Sequence, residues 1–350
     1  MSRRKNNTMW DTTACTFELT LLRMCCRYAL GHMSPQECEP YLKQTIDASC
    51  FITHAYEERL LLLAYQVLSG DLKANIPDAL QRKVEPVIRK QLALMQCSRE
   101  IHHALSEHNI PYVFLKGPAL NKILWGNRMM RHSNDLDVLI QPHNILRADA
   151  VLRSLGLTSK LSEKSLRFHQ RIHRWTTKKD AEYRKKDTDF RIEVHWKTYS
   201  SEFILKKSSL EFTNEMYALY LCLHAAKHGW SRMIWLVDCI YFIQSQGIDV
   251  EALRALSKTN GITPVVDEAI LLADSWLGIR LVPNAHFMQL EARRKRLNQR
   301  IAMNHRQDAH QLWEMMRYRL LMSSFCTKPI QQCQVWAQVA LGTTVSKIFR

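Results

Sequence analysis

The chain has 350 residues, of which 46% are hydrophobic, 23% charged and 9% aromatic. These ordinary globular proportions exclude a disordered chain, a collagen-like repeat and a small disulfide scaffold, and the length suggests about two domains. Lys and Arg outnumber Asp and Glu by 16, a surplus that points to an anionic partner such as nucleic acid, nucleotide phosphates or an acidic substrate.

The first predicted element is a helix carrying Phe17, Leu19, Leu21, Leu22, Met24 and Tyr28 at helical spacing. Ser34-Pro35-Gln36-Glu37 reads as an N-cap followed by a proline at the first helical position. A leucine-rich helix is expected from Glu57 to Leu68, ended by Ser69-Gly70, and a long amphipathic one from Pro86 to Glu107. Residues 1–108 thus form an expected helical N-terminal region. Tyr112–Leu115 then reads as a short strand, Lys116-Gly117-Pro118 as a turn, and Ala119–Trp125 as a helix. Asp135–Ile140 is a second strand, stopped by Gln141-Pro142, and Asn144–Leu155 a helix closed by Gly156. Arg167–Thr177 and Phe190–Trp196 are further strand expectations, with a charged stretch, Lys178–Asp187, between them. The alternation predicts a mixed α/β core over 109–210. Helices return from Thr213, punctuated by Gly247 and Gly261 and broken at Pro283, in a helical region over 211–350.

Ten cysteines show no C-x-x-C and no paired-ligand spacing, so buried thiols in a reducing compartment are expected. Asp11 and Glu18 interrupt any signal-peptide core, and the apolar run Leu60–Leu68 is short of the ~20 residues that span a bilayer. The expectation is a cytoplasmic protein with no membrane partner.

Asp135-Leu136-Asp137 is the most informative tripeptide. Residues two apart on a strand share a face, so both carboxylates project together while Leu136 and Val138 enter the core. Like charges so close call for a cation between them, and hard oxygen ligands suit Mg²⁺ or Mn²⁺. In Ile192-Glu193-Val194-His195-Trp196, Glu193 and His195 share the face opposite Ile192 and Val194. If the two strands are neighbours, Glu193 completes a three-carboxylate cluster able to hold two metals about 3.5–4 Å apart for in-line displacement at phosphorus. Gly117 lets the backbone approach a phosphate, Pro118 suits a first helical turn, and Lys116 offers a point charge.

The run Val113–Gly117, then Arg131 ahead of Asp135-x-Asp137, then Ile192–Trp196, resembles the uncharacterised nucleotidyltransferase family of the DNA polymerase β superfamily. So does Leu223-His224-Ala225-Ala226-Lys227-His228-Gly229-Trp230 followed by Trp235-Leu236-Val237-Asp238. The resemblance covers roughly 50–280, although the turn here is Lys-Gly-Pro where the superfamily usually has Gly-Ser or Gly-Gly. It implies a polymerase β-like mixed-sheet core flanked by helical regions. It also implies transfer of an NMP from an NTP such as ATP to an acceptor hydroxyl or phosphate, with release of pyrophosphate. Asp135, Asp137 and Glu193 would be catalytic metal ligands for Mg²⁺ or Mn²⁺, with Lys116, Gly117 and Arg131 at the nucleotide. His195, His224, Lys227, His228 and Asp238 would stand behind the site or on the acceptor side. His224 and His228 share a helix face at a spacing that can bind zinc, but without the glutamate of H-E-x-x-H a hydrogen-bonded or buried pair is the plainer reading. The acceptor could be RNA or tRNA, a modified peptide or a small molecule. The cations between Lys160 and Lys186, interleaved with Phe168, Trp175 and Tyr183, favour an anionic one. The rival reading is a non-catalytic nucleic-acid-binding protein with a degenerate core.

Overall fold

A computed structural model describes residues 17–172, 179–198 and 210–283. In chain order it contains α1 (Phe17–Ala29), α2 (Pro35–Leu42), α3 (Ala48–Glu57), α4 (Leu61–Tyr65) and α5 (Asp78–Glu107). These are followed by β1 (Tyr112–Phe114), α6 (Pro118–Trp125), β2 (Asp135–Ile140), α7 (Ile145–Ser154), β3 (Leu157–Ser159), α8 (Glu163–Ile172), β4 (Asp180–Lys185) and β5 (Arg191–His195). Four helices complete it: α9 (Asn214–Lys227), α10 (Met233–Ser245), α11 (Val250–Thr259) and α12 (Thr263–Leu277). Two compact units result. Of the described residues, 17–85 and 213–283 form one, and those between 86 and 212 form the other.

The first unit is helical. Ser34 caps α2 in a reciprocal box: its Oγ accepts from the Glu37 N–H, and the Glu37 carboxylate accepts from the Ser34 N–H at 2.7 Å. Thr213 caps α9 in the simpler way, accepting from the Met216 N–H. The expected helix Glu57–Leu68 is divided instead. The chain turns at Arg59, whose φ is +57°, α4 starts at Leu61, and a π-helical turn carries Gln66–Asp71 beyond the expected stop at Ser69-Gly70. The apolar run hides that break, because Leu60–Leu63, directly after the turn, are all buried. Likewise α12 ends at Leu277 with Gly278 in the left-handed region, before Pro283. α9, α10 and α12 are apolar nearly all round and buried accordingly.

The second unit is the mixed α/β module. Its five strands lie in the order β1-β2-β5-β4-β3, with β2 and β5 parallel and the other neighbours antiparallel. Leu136, Val138, Ile140, Ile192, Val194, Ala181 and Tyr183 turn one face of the sheet into the core. There they join Leu94, Ile101 and Leu105 of α5, Ile145, Ala148 and Leu152 of α7, and Leu166 of α8. The polar alternates are left on the opposite face.

Two expectations about this unit need correction. The stretch Arg167–Thr177 is not a strand in its described part: 163–172 is helix α8, whose start is fixed by Ser162 Oγ accepting from the Ser165 N–H. Residues 173–177 lie outside the described residues. The charged stretch 178–187 is not merely a connection, because it contains β4. β3 was also not expected. Among the described residues no helix is long and apolar enough to cross a membrane, and seven cysteines are free thiols, six of them buried. The expected C-terminal helices beyond 283 lie outside the described residues.

Candidate active site

The parallel register of β2 and β5 sets Asp135 opposite Arg191, Asp137 opposite Glu193 and Leu139 opposite His195. β4 then sets Asp180 opposite His195 and Glu182 opposite Glu193. Because each strand alternates, the acids and bases of three strands collect on the face turned away from the core.

The turn after β1 delivers a cation to this face. The Leu115 N–H donates to the Asp137 carbonyl at 3.0 Å, holding the chain against β2. Gly117 has φ +68°, and a Cβ there would lie 2.9 Å from the Asp135 carbonyl oxygen. Both the conformation and the space therefore require glycine. Pro118 opens α6 immediately afterwards. The result is Lys116 Nζ at 3.2 Å from Asp137 Oδ2, with both residues buried.

The segment before β2 is locked from two sides. The Gln91 side chain on α5 accepts from the Ser133 N–H at 3.0 Å and donates to the Ser133 carbonyl at 2.8 Å. Asn121 Oδ1 on α6 accepts from the Met130 and Arg131 N–H groups. Arg131 is buried, and its guanidinium donates to Ser133 Oγ.

Asp137 is the centre of the charged face. Its Oδ1 lies 2.9 Å from His195 Nε2, while Oδ2 has Lys116 as ion partner without a well-directed hydrogen bond. Burial alone would raise its pKa. The Lys116 charge and the His195 hydrogen bond outweigh that and hold the carboxyl well below the usual carboxylate range. Glu193 goes the other way: burial, then the charges of Asp137, Asp135 and Asp180, push it up against the pull of Lys179. Burial and the Lys179 charge draw His195 down, against Asp137 and Asp180. Lys179 Nζ lies 2.9 Å from Asp180 Oδ2 and 3.3 Å from His195 Nδ1. Its burial is more than offset by Asp180, Glu193 and Asp137, so its pKa is raised.

Among the described residues, Asp137, Glu193 and His195 offer ligand atoms all within 4.8 Å of one another. Two carboxylates and an imidazole are donors that a divalent cation can use. Asp135 stands outside that group. Its carboxylate lies 3.6 Å from Arg191, whose guanidinium is also 3.7 Å from Glu182 and 3.8 Å from Glu193.

Lys116, Gly117, Arg131, Asp135, Asp137, Glu193 and His195 thus all belong to the sheet-bearing unit. His224, Lys227, His228 and Asp238 belong to the helical unit. There the His224 and His228 rings meet edge to face at 4.9 Å, both pack on Trp235, and Asp238 is buried on α10. Sequence reasoning counted Lys179 only among the cations of the basic stretch and missed Asp180. The signal was present in Asp180-Ala181-Glu182-Tyr183-Arg184, whose small and aromatic members alternate with charges as a half-buried strand requires. Of the basic stretch 160–186, Arg167 pairs with Glu163, Lys179 with Asp180, Arg184 with Glu182 and Lys185 with Glu100. Arg174, Trp175 and Lys178 lie outside the described residues.

Residues 44–278 match the model of a family described as an uncharacterised nucleotidyltransferase. No curated protein and no solved structure matches the chain.

Proposed function

The chain belongs to the uncharacterised nucleotidyltransferase family, and from that premise we propose that it moves a nucleoside monophosphate from an NTP to an acceptor hydroxyl or phosphate. The acceptor oxygen bonds to the α-phosphorus, the bond from that phosphorus to the bridging oxygen breaks, and pyrophosphate leaves. The 109–210 core carries the reaction. The observation that carries this reading is the buried Asp137 carboxylate, set beside Glu193 on a parallel strand and reached by a lysine from a glycine turn.

Asp137, Glu193 and Asp135 would hold Mg²⁺ or Mn²⁺, which when bound lowers the pKa of the attacking hydroxyl and neutralises charge on the leaving group. Asp137 stays ionised across the working pH range because Lys116 and His195 stabilise its anion. Glu193 would bind the metal or act as base on the acceptor hydroxyl. Lys116 stands at the entrance of α6, where backbone N–H groups and the helix dipole favour phosphate. In this reading it exchanges part of its contact with Asp137 for a triphosphate oxygen. Arg131, through Ser133, shapes the segment leading into β2. His195 orients Asp137, and His224, Lys227, His228 and Asp238 keep the supporting or acceptor-side role that the resemblance implies. Variants at those four positions test an acceptor-side role.

The acceptor is anionic in this reading, an RNA or tRNA end before a modified peptide or small molecule, on the strength of the +16 balance. Incubation with each α-³²P-labelled NTP and a cell extract, with Mg²⁺ or Mn²⁺, tests it. Label transferred by the native chain and not by Asp137→Asn supports the reading and identifies the acceptor class. No transfer with any NTP, together with salt-sensitive RNA binding, gives the non-catalytic nucleic-acid-binding alternative.

A further inference from the structure

We propose that Lys179 is a positioning residue: its ammonium fixes the His195 imidazole in the tautomer that donates Nε2–H to Asp137, leaving the second Asp137 oxygen preset for a divalent cation. The part of this concerning the cation rests on the metal reading above; the part concerning the tautomer does not.

An ammonium has donors only, whereas a neutral imidazole has one donor and one acceptor. Lys179 Nζ gives one N–H to Asp180 Oδ2 at 2.9 Å and faces His195 Nδ1 at 3.3 Å. Nδ1 must then supply the lone pair, and the ring proton sits on Nε2, 2.9 Å from Asp137 Oδ1. Three features hold Lys179 in place for this. Asp180 pairs with His195 across β4 and β5, the Trp196 N–H donates to the Lys179 carbonyl at 2.9 Å, and the His195 side chain is only 4% exposed.

Without the ammonium, Nδ1 still faces the Asp180 carboxylate, Oδ2 at 3.6 Å, an acceptor only. That neighbour favours a proton on Nδ1. The opposite nitrogen would then present a lone pair to the Asp137 carboxylate, and the two would repel. Of the two neutral ring states, Lys179 therefore selects the one that donates to Asp137. Groups that hydrogen-bond a ligating carboxylate commonly govern metal affinity in this way.

The test is long-range ¹H–¹⁵N correlation of the imidazoles in ¹⁵N-histidine-labelled, metal-free protein, with His195 assigned by its loss in His195→Gln. Mn²⁺ affinity is measured by electron paramagnetic resonance on the same samples. The native ring should show protonated Nε2 and bare Nδ1. Lys179→Met should lose that single-tautomer pattern and bind Mn²⁺ about 10-fold more weakly or worse, and Lys179→Arg, which restores a donor, should recover both. A native ring protonated at Nδ1, or a Lys179→Met protein with unchanged tautomer and unchanged Mn²⁺ affinity, overturns the proposal. If Lys179→Met does not fold by circular dichroism, the native tautomer decides alone. A native protein that binds no Mn²⁺ overturns the metal reading, and the tautomer comparison still decides the relay.

Discussion

The two ends of the charged sheet face are built differently. At one end Asp137 is buried, its two oxygens engaged by His195 at 2.9 Å and Lys116 at 3.2 Å, and His195 is backed in turn by Lys179. At the other end Asp135 shares the half-exposed Arg191 with Glu182 and Glu193, every contact between 3.6 and 3.8 Å. The same strand and the same residue type give a preorganised anion in one place and an adjustable one in the other. The difference comes from what crosses over each carboxylate. Lys116 and His195 close on the Asp137 carboxylate, whereas Asp135, at the start of β2, keeps a side open to solvent. A buried anion with fixed partners suits a permanent ligand, and an open one suits a group that engages when substrate arrives.

The largest expected effect separates the two ends directly. Asp137→Asn should lower transfer by about 10²–10³-fold or more, as expected for losing a charge aimed at a phosphoryl site. It should also destabilise the fold by about 3 kcal/mol, because Lys116 is left as a buried charge without its counter-ion. Asp135→Asn should lower transfer strongly as well, yet shift stability by less than about 1 kcal/mol, as for an exposed pair. Urea midpoints and single-turnover rates on both variants check this. Equal losses of stability would mean that the two ends are not distinct.

Lys116→Ala comes next. NTP affinity should fall by about 1.5–3 kcal/mol if the lysine makes a charged hydrogen bond to the triphosphate. Mn²⁺ affinity without nucleotide should stay level or rise, since Lys116 no longer competes for Asp137 Oδ2. Fluorescent NTP titration and Mn²⁺ binding separate these. An unchanged NTP affinity would make Lys116 a counter-ion of Asp137 and nothing more.

This contrast was only half legible in the sequence. The strand Asp135–Ile140 and the glycine turn could be read because their signals are local: period-two alternation, a Gly-Pro pair, a proline stop. Glu193 opposite Asp137 could be anticipated on the condition that β2 and β5 are neighbours, and they are. What could not be read was which carboxylate would be buried, because that depends on the Lys116 and His195 side chains both reaching one of the two from elsewhere in the chain. β4 was missed for a different reason. Its charged residues occupy the alternate positions of a strand whose outward face is the site, so a run that looks like a solvated loop by composition is half-buried by pattern. α8 was misjudged because Phe168 and Ile172 also fit a strand, and the Ser162 cap that settles the matter was not weighed.

The smallest expected effect is the sharpest test of the electrostatics, because the two neighbouring acids carry opposite signs. Asp137 has its pKa depressed by Lys116 and His195 against the cost of burial, so the unfolded chain binds the proton first as pH falls. The stability it contributes is in full force above the ordinary aspartate value of about 3.9 and is lost progressively below it. Glu193 has its pKa raised by burial and by its acidic neighbours, so the folded chain holds the proton longer as pH rises. Its contribution is favourable below the ordinary glutamate value of about 4.3 and declines as pH climbs through the raised one. In metal-free protein, Glu193→Gln should therefore gain stability relative to the native chain as pH rises above that value. Asp137→Asn should lose it, with the deficit closing only in strong acid. Urea unfolding of the three proteins from pH 3 to pH 8, with chelator present, provides the comparison. Curves that shift in the same direction for both variants would show that the two carboxylates share one environment, and the distinction between a held anion and a proton acceptor would fall with it.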